Sequence, residues 1–143
     1  MQKLLVLIAA LIPALLFAQT PDQQTVKTSI EQNSTYFPQE RIYIQFDKPS
    51  YSPGETIWYK AYLLSGTALS TISANFYIDF TDAAGNSIKH IILPVVQTSA
   101  RGDFQVPEKY TQKSLHVRAY TKWMLNFDTT FLYNKDIHVI QLN

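Results

Sequence analysis

The sequence contains no cysteine, which excludes disulfide bonds, thiolate metal sites, a cysteine nucleophile and the lipid-bearing cysteine of a bacterial lipoprotein. It also lacks an excess of either charge: the formal net charge is +1, so no bulk field favours nucleic acid or an anionic membrane as a partner. No apolar run reaches the roughly 20 residues that a membrane-spanning helix needs. We therefore expect neither nucleic-acid binding nor a membrane span in the mature protein.

The composition is that of one folded domain. Hydrophobic residues make up 46% of the 143 residues and charged residues 16%, which allows a buried core. Nine tyrosines, eight phenylalanines and two tryptophans favour β structure.

Residues 1–18 have the features of a cleaved signal peptide. Lys3 supplies the positive charge, residues 4–17 form the apolar core, and Ala18 is a small residue at the cleavage position. Pro13 interrupts the apolar run, which argues against a membrane anchor. An exported chain without cysteine is typical of bacteria, so we expect the periplasm or the outer surface of a Gram-negative cell.

Residues 19–38 are polar and predict a linker or a short frayed helix. From residue 39 to the last residue, 143, apolar side chains recur with period two, which is the pattern of half-buried strands. About seven such segments, separated by turn signals, predict an all-β, immunoglobulin-like antiparallel sandwich. The three predicted parts are thus a signal peptide at 1–18, a linker at 19–38 and one sandwich domain at 39–143.

The stretch from residue 46 to residue 62 reads as a stiff corner between two strands. Pro49 ends the first strand because it has no N–H for a ladder, and Asp47 is expected to accept backbone hydrogen bonds. Pro53 and Gly54 suit the central positions of a type II turn. Gly85 is placed similarly, in a predicted hairpin at 82–86.

Several blocks resemble the second macroglobulin-like domain of the alpha-2-macroglobulin family. They are residues 43–56 (YIQFDKPSYSPGET), 81–86 (TDAAGN), 102–104 (GDF) and 115–120 (LHVRAY). Residues 56–62 (TIWYKAY) and 118–127 (RAYTKWMLNF) are similar to exported macroglobulin-domain proteins of Bacteroidota. The resemblance covers about residues 40–141.

The resemblance implies a β-sandwich module that works through a protein partner or neighbouring domains, as the N-terminal part of a longer protein. Members that trap proteases add a bait region and often a Cys-Gly-Glu-Gln thioester, which this cysteine-free chain cannot form. Two alternatives follow from the resemblance: a fragment of an endopeptidase inhibitor, or an accessory domain of a TonB-dependent outer-membrane transport protein.

No residue pattern predicts catalysis, a cofactor or a metal site. The three histidines lie in three different predicted strands, without an acidic residue at ligand spacing in the sequence. Asp79 is expected on an outward face, and Asp82 and Asp103 in turns. The tripeptide at residues 101–103 (RGD), an integrin ligand in animal adhesion proteins, is assigned to a loop of this fold.

Exposed aromatic side chains are the remaining candidates for a binding surface. The alternation points Tyr43, Trp58, Tyr62, Tyr77 and Tyr120 outward. A second candidate is the apolar loop at 123–127, which either folds back over the core or docks against a neighbouring domain. The predicted interface residues are Tyr51, Trp58, Tyr62, Trp123 and Phe127.

Overall fold

The computed structural model describes residues 23–141, in two compact units that divide after Phe37. The first unit contains helix α1 (Gln23–Tyr36) in the segment that the sequence left open between a linker and a short helix. The predicted signal peptide, residues 1–18, lies outside the described residues. No helix within residues 23–141 is both long and apolar enough to cross a membrane.

The second unit is built from β-strands, seven of them with seven to ten residues and two with only two. They are β1 (Glu40–Phe46), β2 (Ser50–Tyr51), β3 (Thr56–Ser65), β4 (Ala68–Leu69), β5 (Asn75–Thr81), β6 (Ser87–Pro94), β7 (Ser99–Gln105), β8 (Ser114–Tyr120) and β9 (Tyr133–Val139). The two short strands lie in segments that the sequence assigned to loops.

The strands form two sheets. The four-stranded sheet has β3 at its centre, paired with β1 on one side and with β7 and the short β4. The five-stranded sheet has the order β2-β9-β8-β5-β6. All pairs are antiparallel except β2 with β9. The predicted all-β antiparallel sandwich is therefore confirmed.

The core lies between the sheets, because alternate residues are buried in most of the long strands, and half-buried in the edge strand β6. In β3 the inward residues are Ile57, Tyr59, Ala61 and Leu63. The Phe80 ring of β5 stacks on Phe104 of β7 with centroids 4.1 Å apart, which joins the two sheets. Period two in the sequence predicts these positions because each strand has one dry face.

A tight turn carries the chain from β6, at the edge of the five-stranded sheet, into β7. The Val96 and Ser99 backbones bond each other in both directions, and Gln97 (φ 46°) and Thr98 (φ 65°) take the two central positions. Both central residues have positive φ, as in a type I′ hairpin turn. A β-branched residue at positive φ is strained.

Candidate functional site

The predicted corner between β1 and β3 crosses from one sheet to the other and back. After Pro49 the chain forms β2, whose Ser50 and Tyr51 pair in parallel with β9 of the five-stranded sheet. Ile140 N–H donates to Tyr51 O at 2.8 Å, which continues this pairing. The segment thus belongs to both sheets, whereas the sequence indicated only a link between two strands.

A four-residue turn returns the chain to β3. Pro53 and Gly54 hold its central positions, and Glu55 N–H donates to Ser52 O at 3.0 Å. Gly54 has φ +84°, the left-handed value that a type II turn requires there. Gly54 N–H also donates to Val106 O at 2.9 Å, which ties the turn to the segment after β7.

Asp47 fixes the start of this crossover. Its Oδ1 accepts hydrogen bonds from the Tyr51 hydroxyl at 2.7 Å and from Trp58 N–H at 2.9 Å. The Tyr51 hydroxyl in turn accepts from Lys48 N–H at 3.0 Å. The carboxylate therefore bonds into β3 rather than only within the turn.

Tyr51 is a correction to the predicted interface, because its side chain is fully buried, with 0% exposure. The residue lies in β2, and its ring joins the hydrophobic core while its hydroxyl reaches Asp47. A two-residue strand has too few alternations for its inward face to be read from the sequence. Tyr51 offers no surface to a partner.

The electrostatics of the corner follow from these contacts. Desolvation alone would raise the pKa of Asp47, but the hydrogen bonds from Tyr51 and Trp58 outweigh it and hold that pKa below its usual value. Burial, followed by the bond to Asp47, raises the pKa of Tyr51. Asp47 is thus kept ionised and Tyr51 protonated, an arrangement that stabilises structure.

The hairpin between β5 and β6 is organised by a second aspartate. Asp82 Oδ1 accepts from Ala84 N–H at 2.9 Å and from Asn86 N–H at 2.8 Å. Gly85, with φ +85°, completes the loop and donates its N–H to Asp82 O at 3.0 Å. These hydrogen bonds lower the pKa of Asp82, first of all those from Asn86.

The outer side of the four-stranded sheet is the most distinctive surface of the sandwich. Trp58 and Tyr43 are each 58% exposed there, and Tyr62 is half-buried with its ring 6.3 Å from that of Tyr43. We call this surface the Trp58 face. Its outward side chains are Arg41, Tyr43, Gln45, Trp58, Lys60, Tyr62, Arg101 and Asp103.

A shallow depression of about 470 Å³ lies on the Trp58 face. Its lining includes Trp58, Lys60, Arg101 and Asp103. The register places Lys60 opposite Arg101, and Trp58 opposite Asp103. The depression therefore combines one exposed aromatic ring with two cations and two carboxylates, since Asp47 lines it as well.

The prediction that the tripeptide at 101–103 lies in a loop is wrong, because these residues lie inside β7. Gly102 does not serve a turn: a Cβ there would lie 2.5 Å from the Tyr59 hydroxyl oxygen and 2.8 Å from Leu93 Cδ1. Asp103 is likewise a strand residue. The glycine allows Tyr59 to pack flat against β7.

The outer side of the five-stranded sheet carries polar side chains that pair across strands. Asp79 Oδ1 lies 2.5 Å from His90 Nδ1, and its Oδ2 accepts from Arg118 Nη2 at 3.0 Å. His116 Nδ1 lies 2.8 Å from Asp136 Oδ1. Sequence spacing missed both histidine–aspartate pairs because they form across strands. Among the described residues, no group of three or more potential metal ligands comes together.

The segment that follows β8 folds back over the end of the sandwich. Met124 is buried, and Trp123 Nε1 donates to Pro38 O at 2.7 Å. The Phe127 ring meets Trp123 edge-on at 6.1 Å, and both side chains are half-buried. The loop therefore packs back on the sandwich, and docking of Trp123 and Phe127 against a neighbouring domain stays a prediction.

The predicted interface residues do not form one site. Trp58 lies beside the end of β1 at Phe46, and Tyr62 lies opposite the middle of this strand, at Tyr43. Trp123, with Phe127 beside it, lies near Pro38, before the start of β1. The seven residues of β1 at about 3.3 Å each separate these ends by roughly 20 Å. Of these two places, the Trp58 face is the one where rings that are more than half exposed lie beside Lys60 and Arg101, which have no ion-pair partner among residues 23–141.

A buried carboxylate cluster went unpredicted. Glu40 has 0% exposure and accepts hydroxyl hydrogen bonds from Ser70 (2.6 Å), Ser73 (2.5 Å) and Thr121 (2.7 Å). Glu40 continues the alternation of Ile42, so its parity in the sequence does point inward. The cluster links β1 to two loops.

Comparison with solved structures supports the fold. The chain is similar to Escherichia coli alpha-2-macroglobulin in its native conformation (TM-score 0.60, 14% identity, covering 72% of this chain and 6% of that one). It is also similar to Salmonella alpha-2-macroglobulin reacted with methylamine (TM-score 0.59, 17% identity, covering 73% of this chain and 6% of that one). A third similar structure is trypsin-activated E. coli alpha-2-macroglobulin (TM-score 0.60, 14% identity, covering 72% of this chain and 7% of that one).

No family model matches the chain, and no curated protein is significantly similar to it. At identities of 14–17% the structural likeness establishes a macroglobulin-like fold and nothing further. The chain spans only 6–7% of the length of these structures. Second-domain placement and a Bacteroidota origin stay predictions.

Proposed function

We propose that this chain is a non-catalytic β-sandwich module of an exported bacterial envelope protein, which acts by contact with a protein partner or a neighbouring domain through its Trp58 face. The observation that carries the proposal is the exposure of Trp58 and Tyr43, each 58%, on the outer side of a regular sheet. Large exposed aromatic rings are costly in water and are enriched at the centres of protein interfaces.

Two further observations support the exported, modular part of the proposal. Residues 1–18 have the charge, apolar length and small terminal residue of a signal peptide. The bacterial structures with the same fold contain it as 6–7% of a much longer chain. A module within such a long chain has neighbouring domains that one of its surfaces can contact.

Site-specific photo-cross-linking in the source bacterium tests the contact surface. A benzophenone amino acid replaces Trp58, Tyr43 or, as a control on the other sheet, the exposed Lys89. We expect cross-links from positions 58 and 43 to one defined protein, or to a defined segment of the same polypeptide, and none to it from position 89. Mass spectrometry of the cross-linked peptides identifies the contact.

Equal cross-linking from all three positions, or none from positions 58 and 43, would overturn the assignment of this surface. Cell fractionation of the same cultures tests export, since the proposal requires the protein in the envelope fraction with residues 1–18 removed. Recovery of the uncleaved chain in the cytoplasm would contradict that part.

A second candidate function is as part of a macroglobulin-type endopeptidase inhibitor. It is favoured by the likeness to an alpha-2-macroglobulin described as trypsin-activated. In that case the intact native polypeptide, incubated with trypsin, should carry the protease into its own gel-filtration peak while small peptide substrates are still cleaved. Trypsin that elutes only at its free position would rule this candidate out.

A further inference from the structure

We propose that the Trp58 face binds an extended acidic peptide segment of its partner, with a carboxylate between Lys60 and Arg101 and a neighbouring apolar side chain on Trp58. The inference rests on the proposed function, since it names the chemistry of the contact made by that same surface. Two like charges face each other on this surface. Lys60 and Arg101 are direct cross-strand partners on the outward side of β3 and β7.

Like charges placed opposite each other on one face of a sheet repel and destabilise the pairing. Among the described residues, no carboxylate lies within 4.0 Å of either side chain, since the ion pairs found there involve other residues. Lys60 instead lies 4.6 Å from the centroid of the Tyr62 ring. An anionic group from outside would remove the repulsion.

The other sheet provides an internal comparison. There, His90 and Arg118 flank Asp79, which contacts both of them. The same protein thus pairs Arg118 on one outer face with its own carboxylate, Asp79, and leaves Lys60 and Arg101 on the Trp58 face without one. Charge complementarity therefore points to an acidic partner at Lys60 and Arg101.

The carboxylates around the depression distinguish a peptide from a polyanion. Asp103 lies opposite Trp58 in the register, and Asp47 also lines the depression. A polyphosphate chain or nucleic-acid backbone, with one charge at every unit, would be repelled by these two groups. A peptide places single carboxylates between neutral units, and its N–H groups can donate to Asp103.

The spacing of the cation and the ring fits an extended chain. Trp58 and Lys60 are two residues apart on one strand, so their side chains leave the same face about 7 Å apart. Side chains at positions i and i+2 of an extended peptide have the same separation. A peptide lying along β3 can therefore set an apolar side chain on Trp58 and a carboxylate at Lys60 together.

The test is an NMR titration of the purified, ¹⁵N-labelled chain with two matched peptides, acetyl-Phe-Ser-Glu-Ser-Phe-Ser-Glu-amide and its counterpart with glutamine in place of glutamate. The indole N–H signals of Trp58 and Trp123 report on the two ends of the sandwich. We expect the glutamate peptide to shift the Trp58 signal and to bind about tenfold more tightly than the glutamine peptide. The Trp123 signal should stay in place.

Three variants complete the design. The single variant Arg101→Gln should reduce the preference for the glutamate peptide. The double variant, Lys60→Gln with Arg101→Gln, should abolish this preference. Lys89→Gln removes one exposed cation from the other sheet and should leave the preference unchanged. The amide spectra of all three variants show directly whether the fold is retained.

Equal affinity for the two peptides would overturn the acidic-peptide inference. So would inorganic polyphosphate that shifts the Trp58 signal at lower concentration than the glutamate peptide does, since the surface would then prefer a polyanion. If either result occurs while position 58 still cross-links to a protein in cells, the proposed contact surface stands and only its chemistry is wrong. If position 58 gives no cross-link either, the proposed function fails with it.

Discussion

At the scale of single residues, Asp47 joins two parts of the corner because one carboxylate oxygen accepts both the Tyr51 hydroxyl and Trp58 N–H. The same contacts lower its pKa. A group whose pKa is lower in the folded than in the unfolded state adds stability above its unfolded pKa, about 3.9, and loses it as the pH falls through the folded value. The corner is therefore an acid-sensitive part of the fold.

We predict that Asp47→Ala lowers the free energy of unfolding at pH 7 by about 1 kcal/mol, since the buried Tyr51 hydroxyl loses its acceptor. The difference from the parent should shrink as the pH falls from 5 towards 2. Urea denaturation over this pH range measures it. Asp136→Ala is the control, because Asp136 accepts one bond from His116 on the surface, and its loss should cost less than about 0.5 kcal/mol. A difference that stays constant with pH would contradict the assignment.

Thr98 is the most strained residue of the β6–β7 turn, since it is β-branched and has φ 65°. Replacing Gln97 and Thr98 with asparagine and glycine, the residues that type I′ turns prefer, should raise the free energy of unfolding by about 1 kcal/mol. The midpoint of urea denaturation should rise with an unchanged slope. Thr98→Val keeps the branched side chain and should give no gain. A lower midpoint for the asparagine–glycine variant would show that the turn is not strained.

At the scale of elements, Glu40 holds the start of β1 against the loops that follow β4 and β8. Two of the three hydroxyl groups that donate to Glu40 also accept a hydrogen bond from the backbone. Ser70 Oγ accepts from Ile72 N–H, and Thr121 Oγ1 accepts from Met124 N–H. The carboxylate thus supports backbone contacts in both loops. Buried polar groups that lose part of such a network are costly.

We predict that Glu40→Gln lowers the free energy of unfolding by about 1–3 kcal/mol, because an amide nitrogen replaces one acceptor oxygen. Amide hydrogen exchange at Ile72 and Met124 should accelerate more than exchange in β5. Glu108→Gln, on the surface, is the matched control and should change neither quantity. Unchanged exchange at both amides in the Glu40 variant would mean that the loops are held by other contacts.

The long strands could be predicted because most of them have one face toward the core and one toward solvent, which gives the sequence its period of two. The crossover at Tyr51 could not, since a two-residue strand carries no period and is fixed by its pairing with β9. The outward direction of Trp58 could be predicted from the alternation within β3. The pairing of Lys60 with Arg101 could not, because it depends on the register between two strands that are distant in sequence. The alternation in β1 places Glu40 on the inward side, but a charged residue is not expected in a core. Its three hydrogen-bond partners lie 30 to 81 residues away in the sequence.

At the scale of the whole molecule, one core unites the two sheets. Phe80 stacks on Phe104 across the sheets, and Tyr59 lies 6.1 Å from Phe80. We predict a single cooperative unfolding transition of the sandwich. Single-tryptophan variants, Trp58→Phe and Trp123→Phe, let fluorescence follow each end separately, and their urea transitions should have equal slopes. A distinctly shallower transition reported by one tryptophan would indicate that its end unfolds independently.

Trp58 belongs to the proposed binding surface, whereas Phe80 belongs to the core. Trp58→Ser should change the free energy of unfolding by less than about 0.5 kcal/mol, because most of the ring is already in water. Phe80→Ala, by contrast, removes a fully buried ring and should cost about 3–5 kcal/mol. Urea denaturation of both variants measures the difference. A loss above about 1 kcal/mol for Trp58→Ser would mean that the ring stabilises the sheet itself, and its exposure would no longer need a partner to explain it.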